Sequence, residues 1–192
     1  PNAILSASVN LEPYDEELGE IYKVGIYTIG TINIEEIHTE PKEVMDAVYF
    51  ASREVVKDGK FLVTLGGEHS ISQGVIKAYK EKYKKLSVLQ LDAHLDLMDQ
   101  FGGTRFSHAS VSRRVVEDLK CKVTSFGVRV VSKEEQEFVK KKRGSISVFY
   151  AKDIYGISIS FASQSKIFSM TKKKIILLFL SGITLTVASF NF

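Results

Sequence analysis

The sequence predicts an α/β protein, a three-layer αβα arrangement in which helices cover both faces of a mostly parallel sheet. Three observations carry this. Two short apolar runs, Lys60-Phe61-Leu62-Val63-Thr64-Leu65 and Leu86-Ser87-Val88-Leu89-Gln90-Leu91, each end in a polar turn that carries histidine. Short apolar runs of this kind read as buried strands, and parallel sheets place functional groups at the carboxyl ends of their strands. Strand and helix patterns alternate along the chain, as repeated βαβ units require. Finally, 192 residues with 44% hydrophobic content suffice for a single core.

Taken in order, the pattern predicts a helix over residues 2–10, a strand over 23–29 and a helix over 41–58. Pro41 in the first turn and Gly59 after the last match the usual asymmetry of helix ends. The strand over 60–65 is broken by Gly66-Gly67, which lets the backbone turn sharply. No Gly-Lys-Ser/Thr follows, so the pair is a poor phosphate loop. A helix over 70–84, strand 86–91, helix 109–119, strand 122–128 and helix 133–142 come next, with strands near 146–150 and 174–180.

Composition narrows the function. A net charge of +3 is too small to argue for nucleic-acid binding, and Lys140-Lys141-Lys142-Arg143 reads as the solvated end of a helix. The single cysteine, Cys121, excludes an internal disulfide framework and suits a reducing cytosol. It opens a strand with no base beside it in sequence, and reads as a small buried residue rather than a nucleophile. There is no internal repeat.

The most informative stretch is Asp92-Ala93-His94-Leu95-Asp96, directly after the second apolar run. On a strand, residues two apart share a face, so two carboxylates would flank one imidazole in a row. Ionised carboxylates held together in a half-buried place call for a cation. Oxygen donors mixed with imidazole suit manganese, iron or zinc better than calcium or magnesium. Read alone, the run fits a solvated strand end equally well. Glu68-His69-Ser70, after the glycine pair, shifts the balance. If the two strands are neighbours, His69 joins Asp92, His94 and Asp96 in a shared metal site.

These motifs resemble those of the ureohydrolases, the arginase and agmatinase family. Gly66-Gly67-Glu68-His69-Ser70 is similar to the family's first metal signature, and Asp92-Ala93-His94-Leu95-Asp96 to its second. Phe106-Ser107-His108-Ala109-Ser110, with Arg113-Arg114 after it, is similar to the Ser-His-Gly/Ala segment of agmatinases. Pro1-Asn2-Ala3-Ile4 through Leu11-Glu12-Pro13-Tyr14-Asp15 resembles the segment after the family's first strand, and Ser125-Phe126-Gly127-Val128-Arg129 a later core strand. Three of the four histidines fall in family positions; His38 reads as a solvated loop residue.

The resemblance implies hydrolysis of a guanidino compound at two manganese ions that share a bridging hydroxide. It assigns His69 and Asp96 to one ion, His94 to the other, and Asp92 to both. It places His108 near the departing amine, as a proton relay or a group that orients substrate; the alternative is a residue next to the N-cap of the following helix. Agmatine, cleaved to putrescine and urea in polyamine biosynthesis, is the substrate implied, with arginase-type substrates close by. The implied assembly is a homo-oligomer.

The departures carry equal weight. The family adds aspartates from a later Asp-x-Asp-x-x-Asp-Pro motif and a glutamate that grips the guanidinium, and this chain has neither. The 39 residues from Ile154 to Phe192 contain no Asp or Glu, whereas residues 1–153 balance 22 Lys and Arg against 23 acids. Two dications facing only Asp92 and Asp96 would leave the site positive, so a second ion should bind weakly and a cationic substrate be repelled. We therefore divide the chain into a partial α/β domain, 1–153, and a divergent apolar tail, 154–192, as expected of a truncated or frameshifted product. A second reading of the whole is a catalytically inactive remnant, binding at most one metal or serving subunit interaction. Lys172-Lys173-Lys174 before eighteen largely apolar residues also admits a membrane anchor. Ser181, Gly182, Thr184, Thr186, Ser189 and Asn191 argue against that and for a buried strand with a ragged end.

Overall fold

The computed structural model describes residues 1–33, 40–154 and the strand 175–180. The chain divides after Asn33 into two compact units. In the first, helix α1 (Asn2–Ser8) stops two residues short of the expected end. The Asp15 carboxylate then accepts hydrogen bonds from the N–H groups of Glu17 and Leu18, at 3.0 and 2.8 Å. Gly19, at φ +73°, closes an antiparallel bridge back to Asp15.

The strand expected over 23–29 is not formed. Ile21–Val24 is a 3-10 turn, and residues 25–33 have no ladder partner among the described residues. Val24, Ile26 and Tyr27 are more than 80% exposed. Apolar and β-branched residues favour extension, but only a neighbour's hydrogen bonds make a strand. His38 lies outside the described residues.

The second unit opens with α2 (Pro41–Lys57), which buries Met45, Val48, Tyr49, Ser52 and Val56 on one stripe. Spacings of three and four residues generate that stripe in a 3.6-residue helix. It packs on α3 (Ser72–Lys82), and Gly74 is the point of closest approach. A Cβ there would lie 2.5 Å from the Met45 carbonyl oxygen and 2.8 Å from the Tyr49 nitrogen, so only glycine allows the two helices to meet this way.

Four parallel strands follow: β1 (Leu86–Leu91), β2 (Lys122–Val128), β3 (Ile146–Tyr150) and β4 (Ile175–Leu180). Their order in the sheet is β3-β2-β1-β4. Helices α4 (Val111–Glu117), α5 (Lys133–Lys141) and the short α6 (Ala151–Ile154) lie between them in sequence. The expected α/β class with a parallel sheet is what the chain forms. Leu86, Val88, Val123, Val128 and Ile146 of the sheet are buried with Val111, Val115 and Val116 of α4.

The second expected strand that fails is 60–65. Those residues join no ladder among the described residues, and Phe61 and Val63 are about half exposed. One of their amides, that of Leu62, donates instead to the Tyr79 hydroxyl at 3.3 Å. Beyond Ile154, β4 alone is described, so the rest of the tail 154–192 lies outside the described residues. No helix among the described residues is long and apolar enough to cross a membrane.

Candidate metal centre

The centre sits just past the carboxyl end of β1. The chain leaves the sheet at Leu91 and residues 92–99 form a loop rather than a continued strand. The expected row of alternating side chains on one strand face is therefore corrected: a folded loop, not strand period, sets their directions. Backbone bonds pin this loop from several sides. Asp92 N–H donates to the Phe126 carbonyl at 3.1 Å, and the Ala93 carbonyl accepts from Arg129 and Val130 at 2.9 and 3.0 Å. Those two donors follow an irregularity in β2 at Gly127, whose φ of +88° suits glycine. Further on, the Asp96 carbonyl accepts from Arg113 N–H at 3.1 Å, and Met98 N–H donates to the Ala109 carbonyl at 3.0 Å.

Opposite this loop, Gly66-Gly67 leads into the 3-10 turn His69–Ile71, where the Glu68 carboxylate accepts from Ser70 N–H at 3.2 Å. The turn aims the His69 ring at the loop. Its Nδ1 lies 3.1 Å from Asp96 Oδ2 and 3.9 Å from Asp92 Oδ2. One donor atom from each of His69, Asp92 and Asp96 falls within 4.8 Å of the other two. Asp92 and Asp96 are each only 7% exposed.

Two nearly buried carboxylates beside one imidazole repel each other unless positive charge joins them. Burial alone would lower the His69 pKa. The hydrogen bond and charge of Asp96, helped by Asp92 and Glu68, outweigh burial and hold it above its ordinary value. The centre thus draws in positive charge, and a nitrogen-plus-two-carboxylate donor set suits a dication such as manganese. These residues fit a metal.

His94 takes a different position. Its side chain is 56% exposed, and its Nδ1 lies 3.2 Å from Asp92 Oδ1. Asp92 Oδ1 also accepts from His94 N–H at 2.9 Å. Asp92 therefore shows one oxygen to each imidazole, with His69 inside and His94 on the rim. His94 does not converge on the point that the other three share.

His108 opens the 3-10 turn His108–Ser110, directly before α4. Its exposed ring stands edge-on to Phe101, with centroids 5.3 Å apart, and its Nδ1 is 3.7 Å from Glu68 Oε1. Its ring thus lies beside Glu68 of the His69 turn, with no ion pair to Asp92 or Asp96 among the described residues. Cys121, by contrast, is buried, and burial pushes its thiol up to about 11, which disfavours the nucleophilic thiolate.

Sequence reasoning missed the residues that hold the loop. Gln90 is buried in β1, and its Nε2 donates to Asp96 Oδ2 at 2.8 Å. Glu134 and Glu135, at the start of α5, accept from the N–H groups of Asp99 and Leu97. A lone amide inside an apolar strand was the available signal for Gln90.

A parallel α/β sheet with an imidazole–dicarboxylate centre at the end of a strand defines a class of metal-capable domain. Residues 1–179 match the Arginase family. The chain belongs to that family. It is 37% identical over 163 residues to the N(1)-aminopropylagmatine ureohydrolase of Synechocystis, covering 80% of this chain and 51% of the relative. It is 32% identical over 151 residues to the agmatinase of Bacillus subtilis, covering 78% and 51%. Among solved structures, the agmatine ureohydrolase of Thermoplasma volcanium superposes with a TM-score of 0.78 at 29% identity, covering 93% of this chain and 58% of that one. The formimidoylglutamase of Bacillus subtilis, at 22% identity and a TM-score of 0.80, shares the fold. The chain spans about half the length of the curated relatives it matches.

Proposed function

We propose that this chain carries the metal-binding half of a guanidino-compound hydrolase, with agmatine or an aminopropyl derivative of it as the substrate class. The observation that carries the reading is the convergence of His69, Asp92 and Asp96 on one point. The names of the relatives, agmatinase and N(1)-aminopropylagmatine ureohydrolase, support the substrate class.

In this reading His69, Asp92 and Asp96 hold a manganese ion. Asp92, facing both imidazoles, is the residue placed to serve a second ion with His94. Bound metal supplies Lewis acidity and activates water at neutral pH. The protein's own part is to fix the ligands on a pinned loop and to present His108 at the rim. His108, edge-on to Phe101 and 3.7 Å from Glu68, is the group available to hand a proton to the departing amine. A cytoplasmic location and a homo-oligomeric assembly, with no nucleic-acid or membrane partner, complete the proposal. Residues 1–153 form its working domain.

A second reading is favoured by one observation: 154–192 brings no carboxylate to a second ion. In it the chain binds one metal and turns over nothing. Metal analysis of the purified chain with a urea-release assay on agmatine separates the two. Two manganese ions with turnover support the hydrolase, and one ion without urea supports the non-catalytic form. Asp92→Ala should lose whatever manganese the parent holds; metal retained by this variant rejects the ligand set.

A further inference from the structure

Gln90 is the most deeply buried amide near the centre, at 2% exposure in the penultimate position of β1. All its polar atoms are accounted for. The Ser112 hydroxyl of α4 and the Ser125 hydroxyl of β2 each donate to its Oε1 at 2.9 Å. Its Nε2 donates to Asp96 Oδ2 at 2.8 Å and reaches the His94 carbonyl oxygen at 3.5 Å. Ser125 is the ladder partner of Gln90 in the β1–β2 register, so the two side chains leave the sheet on the same side. Ser112 and Ser125 are buried as well.

The chemistry fixes the amide's direction. An ionised carboxylate only accepts hydrogen bonds, so the end of Gln90 that meets Asp96 must be the NH2 group. Its oxygen then points at two hydroxyls, which can both donate. Reversing the amide would set oxygen against oxygen in a buried place, a costly arrangement. Gln90 also grips the oxygen of Asp96 that lies 3.1 Å from His69 Nδ1.

We infer that Gln90 is a positioning residue for the metal centre, a buried clamp that orients the Asp96 carboxylate toward His69 and is itself locked by Ser112 and Ser125. The inference rests on the metal-site reading above and extends it to residues that bind no metal themselves. The clamp ties α4, β1 and β2 to one ligand. It complements the backbone bond from Arg113 N–H to the Asp96 carbonyl, so that Asp96 is held by main chain and side chain together. Partners that orient metal ligands typically change affinity 10- to 100-fold when removed.

The test is titration of the metal-free full chain with manganese at 25 °C, with the melting temperature of each metal-free variant measured in parallel. Gln90→Met keeps the length and removes the donor, and its manganese dissociation constant should rise at least about 10-fold. Ser112→Ala combined with Ser125→Ala leaves the donor but frees the amide, and should weaken binding by a smaller factor, about 3-fold or more. A purely structural role would lower the melting temperature of both while leaving the dissociation constant of the folded protein within about 2-fold of the parent; that result overturns the inference and leaves the metal site standing. If Gln90→Met does not fold, the single Ser125→Ala, which deletes one buried oxygen without altering packing, decides by the same criterion. Failure of the unsubstituted chain to bind manganese overturns the metal site and this inference with it.

Discussion

Asp96 is the residue on which backbone and chemistry meet. It adopts a left-handed conformation, φ +53°, one of two described non-glycine residues to do so. Aspartate and asparagine tolerate that region better than other side chains. Asp96→Asn should therefore keep the loop's shape, because asparagine accepts the same backbone and can still accept from Gln90. The charge, however, is lost. One carboxylate fewer relieves the repulsion with Asp92 while removing a metal donor. The expected outcome is a metal-free melting temperature no lower than the parent's, together with a manganese affinity reduced by at least about 100-fold, since a ligand is lost and not merely a group that orients one. Thermal scans and metal titration of the same sample check it; a variant that melts lower but binds manganese as tightly contradicts it. Asp92, His94 and Asp96 stood out by their two-residue spacing, and His69 joined them through a second motif. What the sequence could not show is that His69, Asp92 and Asp96 reach one point through a loop, with His94 turned outward to 56% exposure.

Helix α5 shows how an element at a distance from the ligands supports the site. Its N-terminus carries a capping box: the Ser132 hydroxyl accepts from Glu135 N–H at 3.2 Å, and Glu135 accepts from Ser132 N–H at 2.8 Å. The other oxygen of Glu135 accepts from Leu97 N–H at 3.1 Å, one residue beyond Asp96. One carboxylate thus caps a helix and holds the metal loop. Glu135→Ala removes the bonds from Ser132 and Leu97, while the Ser132 hydroxyl can still cap the backbone N–H of residue 135, and it leaves the buried Leu97 amide without this acceptor. It should cost about 2–4 kcal/mol, from lost hydrogen bonds to Ser132 of about 1 kcal/mol and an unsatisfied buried donor of about 1–3 kcal/mol. Glu135→Gln, which keeps an acceptor, should cost about half that. Chemical denaturation gives the difference, and faster hydrogen exchange at Leu97 in the alanine variant would tie it to the loop. At this scale the sequence was legible where an element is set by local pattern. Pro41 and Gly59 bracketed α2, and the apolar runs marked β1, β2 and β3 within a residue or two. It was misleading for 23–29 and 60–65, whose apolar residues look like strand but whose hydrogen bonds need a neighbour that local sequence cannot supply. Gln90 was read as part of an apolar run because its partners, Ser112 and Ser125, are 22 and 35 residues away.

For the molecule as a whole, the charged centre links metal binding to stability. Two carboxylates at 7% exposure are held together by one imidazole and the Gln90 amide, an arrangement that folding must form at a cost unless a cation joins it. An ion that binds the folded chain and not the unfolded one lowers that cost by mass action, by about 2.7 kcal/mol at 100 times its dissociation constant. For a chain of this length such a gain raises the melting temperature by about 5–10 °C. Manganese should produce that rise, a chelator should reverse it, and magnesium should do much less, since a site with an imidazole ligand favours the transition metal. The form of the dependence also counts ions. Among the described residues only one three-ligand group exists, so the stability added by the first ion should grow with manganese along a single-site curve. A second, weaker rise at higher concentration would mean that His94 and the outer oxygen of Asp92 recruit another ion. A flat melting temperature across the titration would mean that the three side chains converge without binding metal.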